Sequence, residues 1–316
     1  MNKKLRENLM LFFAALIWGS SFVAQKAGME YIGPFTFNGI RFLIGSLVLI
    51  PVILAMDAWK KKNGNENSGM EPEKKSDRKT LIVGGISCGV VLFVAGSLQQ
   101  IGIQYTTAGK AGFITALYIV LVPILGLLIG RKVRLVLWVS VALAAVGLYL
   151  LCITGSFTIG WGDLLVIAGA FGFAVHILVI DHFSPKADGV KLSCIQFLTA
   201  GLLSVPFMLG WEAIHWPSII NCARPILYSG VMSCGVAYTL QVVAQRNTEP
   251  TVASLILSLE SVFAVISGIL LLGERISLRE FLGCAIMMAA ILLAQLPSKQ
   301  VPPENPEASS ASPNSK

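Results

Sequence analysis

The sequence predicts an all-α integral membrane fold, with ten transmembrane helices arranged as two inverted five-helix repeats. Three observations predict it. Of 316 residues, 55% are hydrophobic and 13% charged, with mean hydropathy +0.74, whereas a soluble domain carries about 25% charged residues. One soluble core cannot hide so much apolar surface, so lipid covers much of it. The apolar residues also fall into ten runs, most close to the ~20 residues a helix needs to cross ~30 Å of hydrocarbon. Finally, the last five runs repeat the first five.

The runs lie at about 9–26, 34–56, 81–100, 108–130, 134–153, 161–182, 190–210, 225–245, 251–273 and 278–296. The first follows a basic start and looks like a signal peptide, but it has no clear small-x-small cleavage site and has a counterpart later in the chain; it is kept as a span. The second carries Arg41, about seven residues or ~10 Å inside its outer end, and is expected to send that side chain to the interface. The alternative for Arg41 is a gate or an anchor for a carboxylate. A polar loop, 57–80, leads to the third span. The fifth and tenth contain almost no polar residues between Val136 and Leu151 or between Phe281 and Ala294, and are expected at the periphery. The sixth opens on Asp163, read as a cap for exposed backbone N–H groups. Glu274 and Arg275 at the end of the ninth are expected to form an interfacial ion pair. The tail 297–316, rich in Pro, Ser and Asn, is expected to be disordered.

An offset of 155 lays FTFNGIRFLIGSLVLIPV (35–52) over VKLSCIQFLTAGLLSVPF (190–207), so that Ile40, Phe42, Leu43 and Pro51 match Ile195, Phe197, Leu198 and Pro206. An offset of 146 lays SCGV (87–90) over SCGV (233–236) and Gln99 over Gln245. An offset of 143 lays Ala111, Thr115, Tyr118 and Val122 over Ser254, Ser258, Ser261 and Val265. The units are thus 1–153, 154–296 and the tail. Five spans per unit is an odd number, so the two units face opposite ways in the membrane, a signature of secondary transporters with a site between the halves.

With the N-terminus in the cytoplasm, 18 Lys and Arg face inside and five outside, while Arg41 lies within a span. The positive-inside rule therefore places both termini and the loop 57–80 in the cytoplasm. The net charge of +7 sits mostly in short segments between apolar runs, which speaks against nucleic acid. The six cysteines have no metal or redox spacing and read as small buried residues, with Cys222 alone in a loop. Three histidines, His176, His182 and His215, are not spaced as ligands, and no glycine-lysine phosphate loop occurs. No metal or cofactor is expected.

The ninth span, TVASLILSLESVFAVISGILLLG (251–273), holds one charge, Glu260, nine residues or ~14 Å along the axis and so near the midplane. A carboxyl there faces a protein interior, a partner or a water-filled path. It is the candidate coupling residue, with helix locking as the plainer alternative. Thr251, Ser254, Ser258, Ser261, Val265 and Gly268 form a small-residue stripe suited to close packing. Trp18, Ser21 and Gln25 share one face of the first span, and Phe173 and His176 the matching face of the sixth. Two such faces suit a cavity that stacks on apolar substrate and hydrogen-bonds its polar end. Gln99, Tyr118, Tyr238 and Gln241 complete the expected binding set, with interhelical bonding as the alternative role for the amides.

ALIWGSSFVAQ, GIRFLIGSLVLIPV, GDLLVIAGAFGFA and LSLESVFAVISGILLLGERIS resemble the EamA type of the drug/metabolite transporter superfamily, over about 5–296 and in both repeats. The resemblance implies a ten-helix inverted-repeat fold without enzymatic activity that moves amino acids, nucleobases or other small metabolites across the inner membrane, often outward. Arg131 stands where a Glu is common, which speaks against a mechanism with paired glutamates. The expected function is secondary active transport of a small metabolite across the cytoplasmic membrane by alternating access, as export. The expected partners are a small-molecule substrate, the lipid bilayer, a proton gradient and, as a further candidate, a second copy of the chain. A passive channel and a membrane-embedded enzyme are the rival classes.

Overall fold

The computed structural model describes residues 3–63, 78–152, 159–272 and 277–294. Its elements are α1 (Lys3–Gly28), α2 (Pro34–Asn63), α3 (Arg78–Gln104), α4 (Ala108–Thr115), α5 (Tyr118–Leu128), α6 (Leu135–Cys152), α7 (Trp161–Phe183), α8 (Gly189–Trp211), the short α9 (Trp216–Asn221) and α10 (Ala223–Leu227), a π-helix π1 (Tyr228–Tyr238), α11 (Thr239–Gln245), α12 (Pro250–Leu257), α13 (Glu260–Leu272) and α14 (Leu278–Ala294). Among the described residues, eight helical stretches are long and apolar enough to cross a membrane, and Leu135–Leu150 and Phe281–Ala294 are shorter apolar helices. Most of the loop 57–80, the expected Glu274–Arg275 pair and the tail lie outside the described residues.

The helices pair in a regular way. Main contacts join α2 to α8, α3 to α7, α6 to α14, and α1 to α13 and π1. At the centre α4 meets α13 and α5 meets α12. The apolar faces of α6 and α14 that carry Val139, Val146, Phe281 and Leu292 are exposed, as lipid-facing surface requires. The pair closes on itself at Gly147, where an added Cβ would stand 2.8 Å from the Gly283 carbonyl oxygen. Gly130, with φ +80°, ends α5 in a left-handed turn. There the Arg131 N–H donates to the Gly126 carbonyl at 2.9 Å and the Gly130 N–H to that of Leu127 at 2.9 Å, the Schellman arrangement that satisfies terminal carbonyls.

The fourth and ninth spans, expected as continuous helices, are each broken in the middle. One break falls at Ala116–Leu117 and the other at Ser258–Leu259. At both, the backbone tightens to i→i−3 bonds. Leu117 N–H donates to Ile114 O at 3.1 Å and Ile119 N–H to Ala116 O at 3.0 Å. Leu259 N–H donates to Ile256 O and Ser261 N–H to Ser258 O, each at 3.2 Å. In the ninth span the Ser258 hydroxyl donates to Leu255 O at 2.7 Å, so a serine side chain competes there for a helix carbonyl. The small stripe is buried at Thr251, Ser254, Ser258 and Ser261, and Ser261 Oγ donates to Gly112 O of α4 at 3.3 Å.

The eighth span contains the wide π-turns of π1. The same tetrapeptide, SCGV, lies in ordinary α-helix in α3 and in π1 at 233–236, so local sequence does not select the π form. Both copies meet a neighbouring helix closely: a Cβ on Gly45 of α2 would stand 2.6 Å from Cys234 Cβ, and one on Gly89 of α3 2.5 Å from Thr199 Cβ of α8.

Candidate functional site

One cavity is built from both halves of the chain. Its lining comes from α1 (Trp18, Phe22, Gln25), α2 (Arg41), α3 (Gln99), the α4–α5 break (Thr115, Tyr118), α7 (Phe173, His176, Ile177), π1 and α11 (Ser233, Tyr238, Gln241) and α13 (Glu260). Nine of the ten sequence-predicted residues lie here: Trp18, Gln25, Gln99, Tyr118, Phe173, His176, Tyr238, Gln241 and Glu260. Ser21 does not. It is buried beside the lining, 3.5 Å from Gln25 Nε2 as acceptor. Phe22 takes its place, because i, i+4, i+7 from Trp18 follows the helical period as closely as i, i+3, i+7.

Arg41 is a correction. Depth counting favours a side chain that reaches the interface, yet Arg41 is 3% exposed and its guanidinium lies 4.9 Å and 5.6 Å from the ring centroids of Phe42 and Phe37. An intramembrane charge marks a functional position by default. Phe22, Ile177 and Ser233 likewise lie outside the expected binding set, while Thr115 is a position for which the sequence leaves path lining and plain packing both open. Thr115 carried a signal, lying one turn before Tyr118.

The polar lining is ordered by a few bonds. Tyr118 donates to Glu260 Oε1 at 3.0 Å, and Gln99 Nε2 donates to Thr115 Oγ1 at 2.9 Å. His176 Nε2 and Gln196 Oε1 are 3.1 Å apart. Trp18 Nε1 donates to Ser233 O at 3.4 Å, and its ring sits 4.5 Å from that of Tyr238. Gln25 Oε1, Gln241 Oε1 and Arg41 Nε have no hydrogen-bond partner among the described residues. Gln100 and Gln245 instead tie helices, donating at 3.2 Å to Gln25 O and Ile177 O respectively.

The cavity volume is about 30 Å3, room for one or two waters and not for a metabolite. A second cavity of about 260 Å3 is lined by Val122, Gly126, Arg131, Lys132, Val133, Leu178, Glu249, Pro250 and Thr251. Along α5, Val122 lies one turn beyond Tyr118, so the lining passes from one cavity to the next within ~6 Å of rise.

Bonds close both ends across the halves. At one end Asp163 Oδ2 accepts from Lys110 Nζ at 2.6 Å and Oδ1 from Thr106 Oγ1 at 2.7 Å. The cap expected at Asp163 is present too, with the Gly160 N–H donating at 2.8 Å. Glu212 accepts there from the N–H groups of Phe35 and Thr36 at 2.8 and 2.7 Å. At the other end Arg131 pairs with Asp181, Arg134 with Glu249 at 3.5 Å, and Lys191 with Asp57 at 2.8 Å. Among the described residues no cluster of His, Cys, Asp or Glu is arranged to hold a metal.

The fold and site are those of a helical, multi-pass membrane protein around an internal polar cavity, and its relatives are transporters. The chain belongs to the EamA-like transporter family, whose model matches residues 5–153 and 160–296, within the drug/metabolite transporter superfamily. It is 31% identical to an "Uncharacterized transporter" of Archaeoglobus fulgidus over 93% of this chain and 87% of that protein. It is 27% identical to the transporter YetK of Bacillus subtilis (95% and 90% covered), and 23% identical to the inner membrane transporter YedA of Escherichia coli (90% and 89% covered). A crystal structure of another protein matches with TM-score 0.72 over 92% of this chain and 96% of that one, at 18% identity, a likeness of fold.

Proposed function

We propose that the protein is a secondary active transporter that moves a small metabolite across the cytoplasmic membrane by alternating access, in the direction of export. The observation that carries this is a polar cavity lined from both halves, with Glu260 in its wall. The reading takes the chain as ten spans in two inverted repeats. It is supported by the matching breaks in α4–α5 and α12–α13, by the paired packing of α2 with α8 and α6 with α14, and by the two segments that match the family. Both ends of the path are bonded, and the larger cavity, about 260 Å3, lies beside Arg131 and Glu249 while the one at Glu260 holds about 30 Å3. Rocking of the halves then opens one end at a time. Both termini face the cytoplasm on the charge bias.

Glu260 is the coupling group in this reading, as a site for a proton or a substrate cation. The purified chain in proteoliposomes, tested against a metabolite panel with and without a proton gradient, measures this. Glu260→Gln is expected to fold and to keep counterflow exchange while losing gradient-driven movement. Unchanged uphill transport in Glu260→Gln removes the coupling role.

A further inference from the structure

Arg41 is the least compensated charge in the cavity. It is 3% exposed, yet forms no salt bridge among the described residues, and its Nε has no hydrogen-bond partner. A buried guanidinium is costly to retain unless something pairs with it. Phe37 and Phe42 hold the cation over their rings, which offsets part of that cost and leaves the buried Nε–H without an acceptor among the described residues. Glu260 lines the same cavity but accepts from Tyr118 and makes no ion pair with Arg41. The position that matches Arg41 at the offset of 155, Gln196, is neutral and bonded to His176. The positive charge therefore stands on one side of the cavity only.

We propose that Arg41 anchors a carboxylate of the transported molecule. The guanidinium is a planar fork of donors that fits a carboxylate bidentately, whereas a neutral amide offers it one acceptor oxygen. Trp18 and Tyr238, with rings 4.5 Å apart, and Phe173 line the same cavity, so the carboxylate is carried on an apolar or ring-bearing body. The substrate class is then a small organic acid, as a free anion or as a zwitterion whose cationic end is met elsewhere in the cavity. This inference rests on the cavity being the transport site.

The test uses the purified full chain in nanodiscs and matched probes: benzoate with benzamide, butyrate with butyramide, and 2-aminobutyrate with 2-aminobutyramide. Binding is read directly, by calorimetry or radioligand retention. The acid of at least one pair is expected to bind about tenfold or more tightly than its amide, the ratio a charge-assisted hydrogen bond supplies. Arg41→Gln is expected to abolish that ratio and Arg41→Lys to keep part of it. Acid preference in the first two pairs denotes an anion site; preference in the last pair alone denotes a zwitterion site. Both support the anchor. Equal binding of acids and amides, a preference that survives Arg41→Gln, or a wild-type protein that binds none of the acids overturns it. If Arg41→Gln does not fold, the wild-type ratio and Arg41→Lys decide. Acid-selective binding without uptake in proteoliposomes keeps the anchor and removes the carrier reading. Uptake of amides without acid binding keeps the carrier and removes the anchor.

Discussion

Tyr118 donates its hydroxyl to the Glu260 carboxyl at 3.0 Å, and each of these residues opens the second half of a broken helix. The boundaries of α4 and α12, and the starts of α5 and α13, are all offset by 142. The bond therefore joins equivalent positions of the two broken helices, where they cross in the centre of the molecule. The sequence register of 143 is one residue away and pairs Tyr118 with Ser261 instead. A short stretch of i→i−3 bonding inside a helix is a place where a helix hinges. The Tyr118–Glu260 bond ties two such places together in the wall of the cavity.

Tyr118→Phe removes the donor and keeps the ring. Glu260 is buried, and a buried acceptor stripped of its partner costs about 1–3 kcal/mol. The variant is expected to melt several degrees below the wild type in detergent, while Tyr118→Phe with Glu260→Leu, which removes both polar partners, recovers part of the loss. Equal melting temperatures for wild type and Tyr118→Phe contradict a stabilising role for the bond.

Much of this arrangement is legible in the residues. Glu260 stands out as a lone charge in an apolar run, and the period of α1 and α7 puts Trp18, Gln25, Phe173 and His176 on facing stripes. What is not legible depends on packing. Arg41 declares itself as a charge, but counting residues from a helix end cannot reveal that Phe37 and Phe42 enclose it. Neither break contains a proline or a glycine, and Ser258, whose hydroxyl takes the Leu255 carbonyl, is a weak signal because Ser254 bonds Thr251 in the same way inside the unbroken α12. The π-turns of π1 share SCGV with a regular stretch of α3, so that tetrapeptide does not signal them.

Close helix approach at Gly19 places α1 on α13 beside Glu260. An added Cβ would stand 2.6 Å from the Glu260 carbonyl oxygen and 2.6 Å from Phe263 Cβ, both on the partner helix. Backbone cannot yield as a side-chain tip does. Gly19→Val is therefore expected to reduce the yield of monodisperse protein severely. Gly109→Val, where a Cβ meets nothing within 4 Å, is expected to leave the yield near wild type. Similar yields for the two variants contradict the assignment of Gly19 to a close contact.

The bonds at the two ends make opposite predictions about access. Asp163 gathers Lys110 Nζ and Thr106 Oγ1 from the first half onto the start of α7, and its side chain is 4% exposed, so the pair is shielded from solvent screening on that side. At the far end Asp181, 14% exposed, holds Arg131, while the Arg134–Glu249 pair is about 40% exposed on both sides and contributes little. Asp163→Asn removes the charge but keeps an oxygen that can still accept from Gly160, so α7 retains its cap while the tie between halves weakens. A reporter cysteine at Thr115, in a chain lacking the six native cysteines, reads access to the cavity. Asp163→Asn is expected to raise its labelling several-fold by a membrane-impermeant thiol reagent applied at the end carrying Lys110. Asp181→Asn is expected to raise labelling from the opposite end. A reporter that responds to both variants from the same side, or to neither, contradicts alternating closure by these pairs.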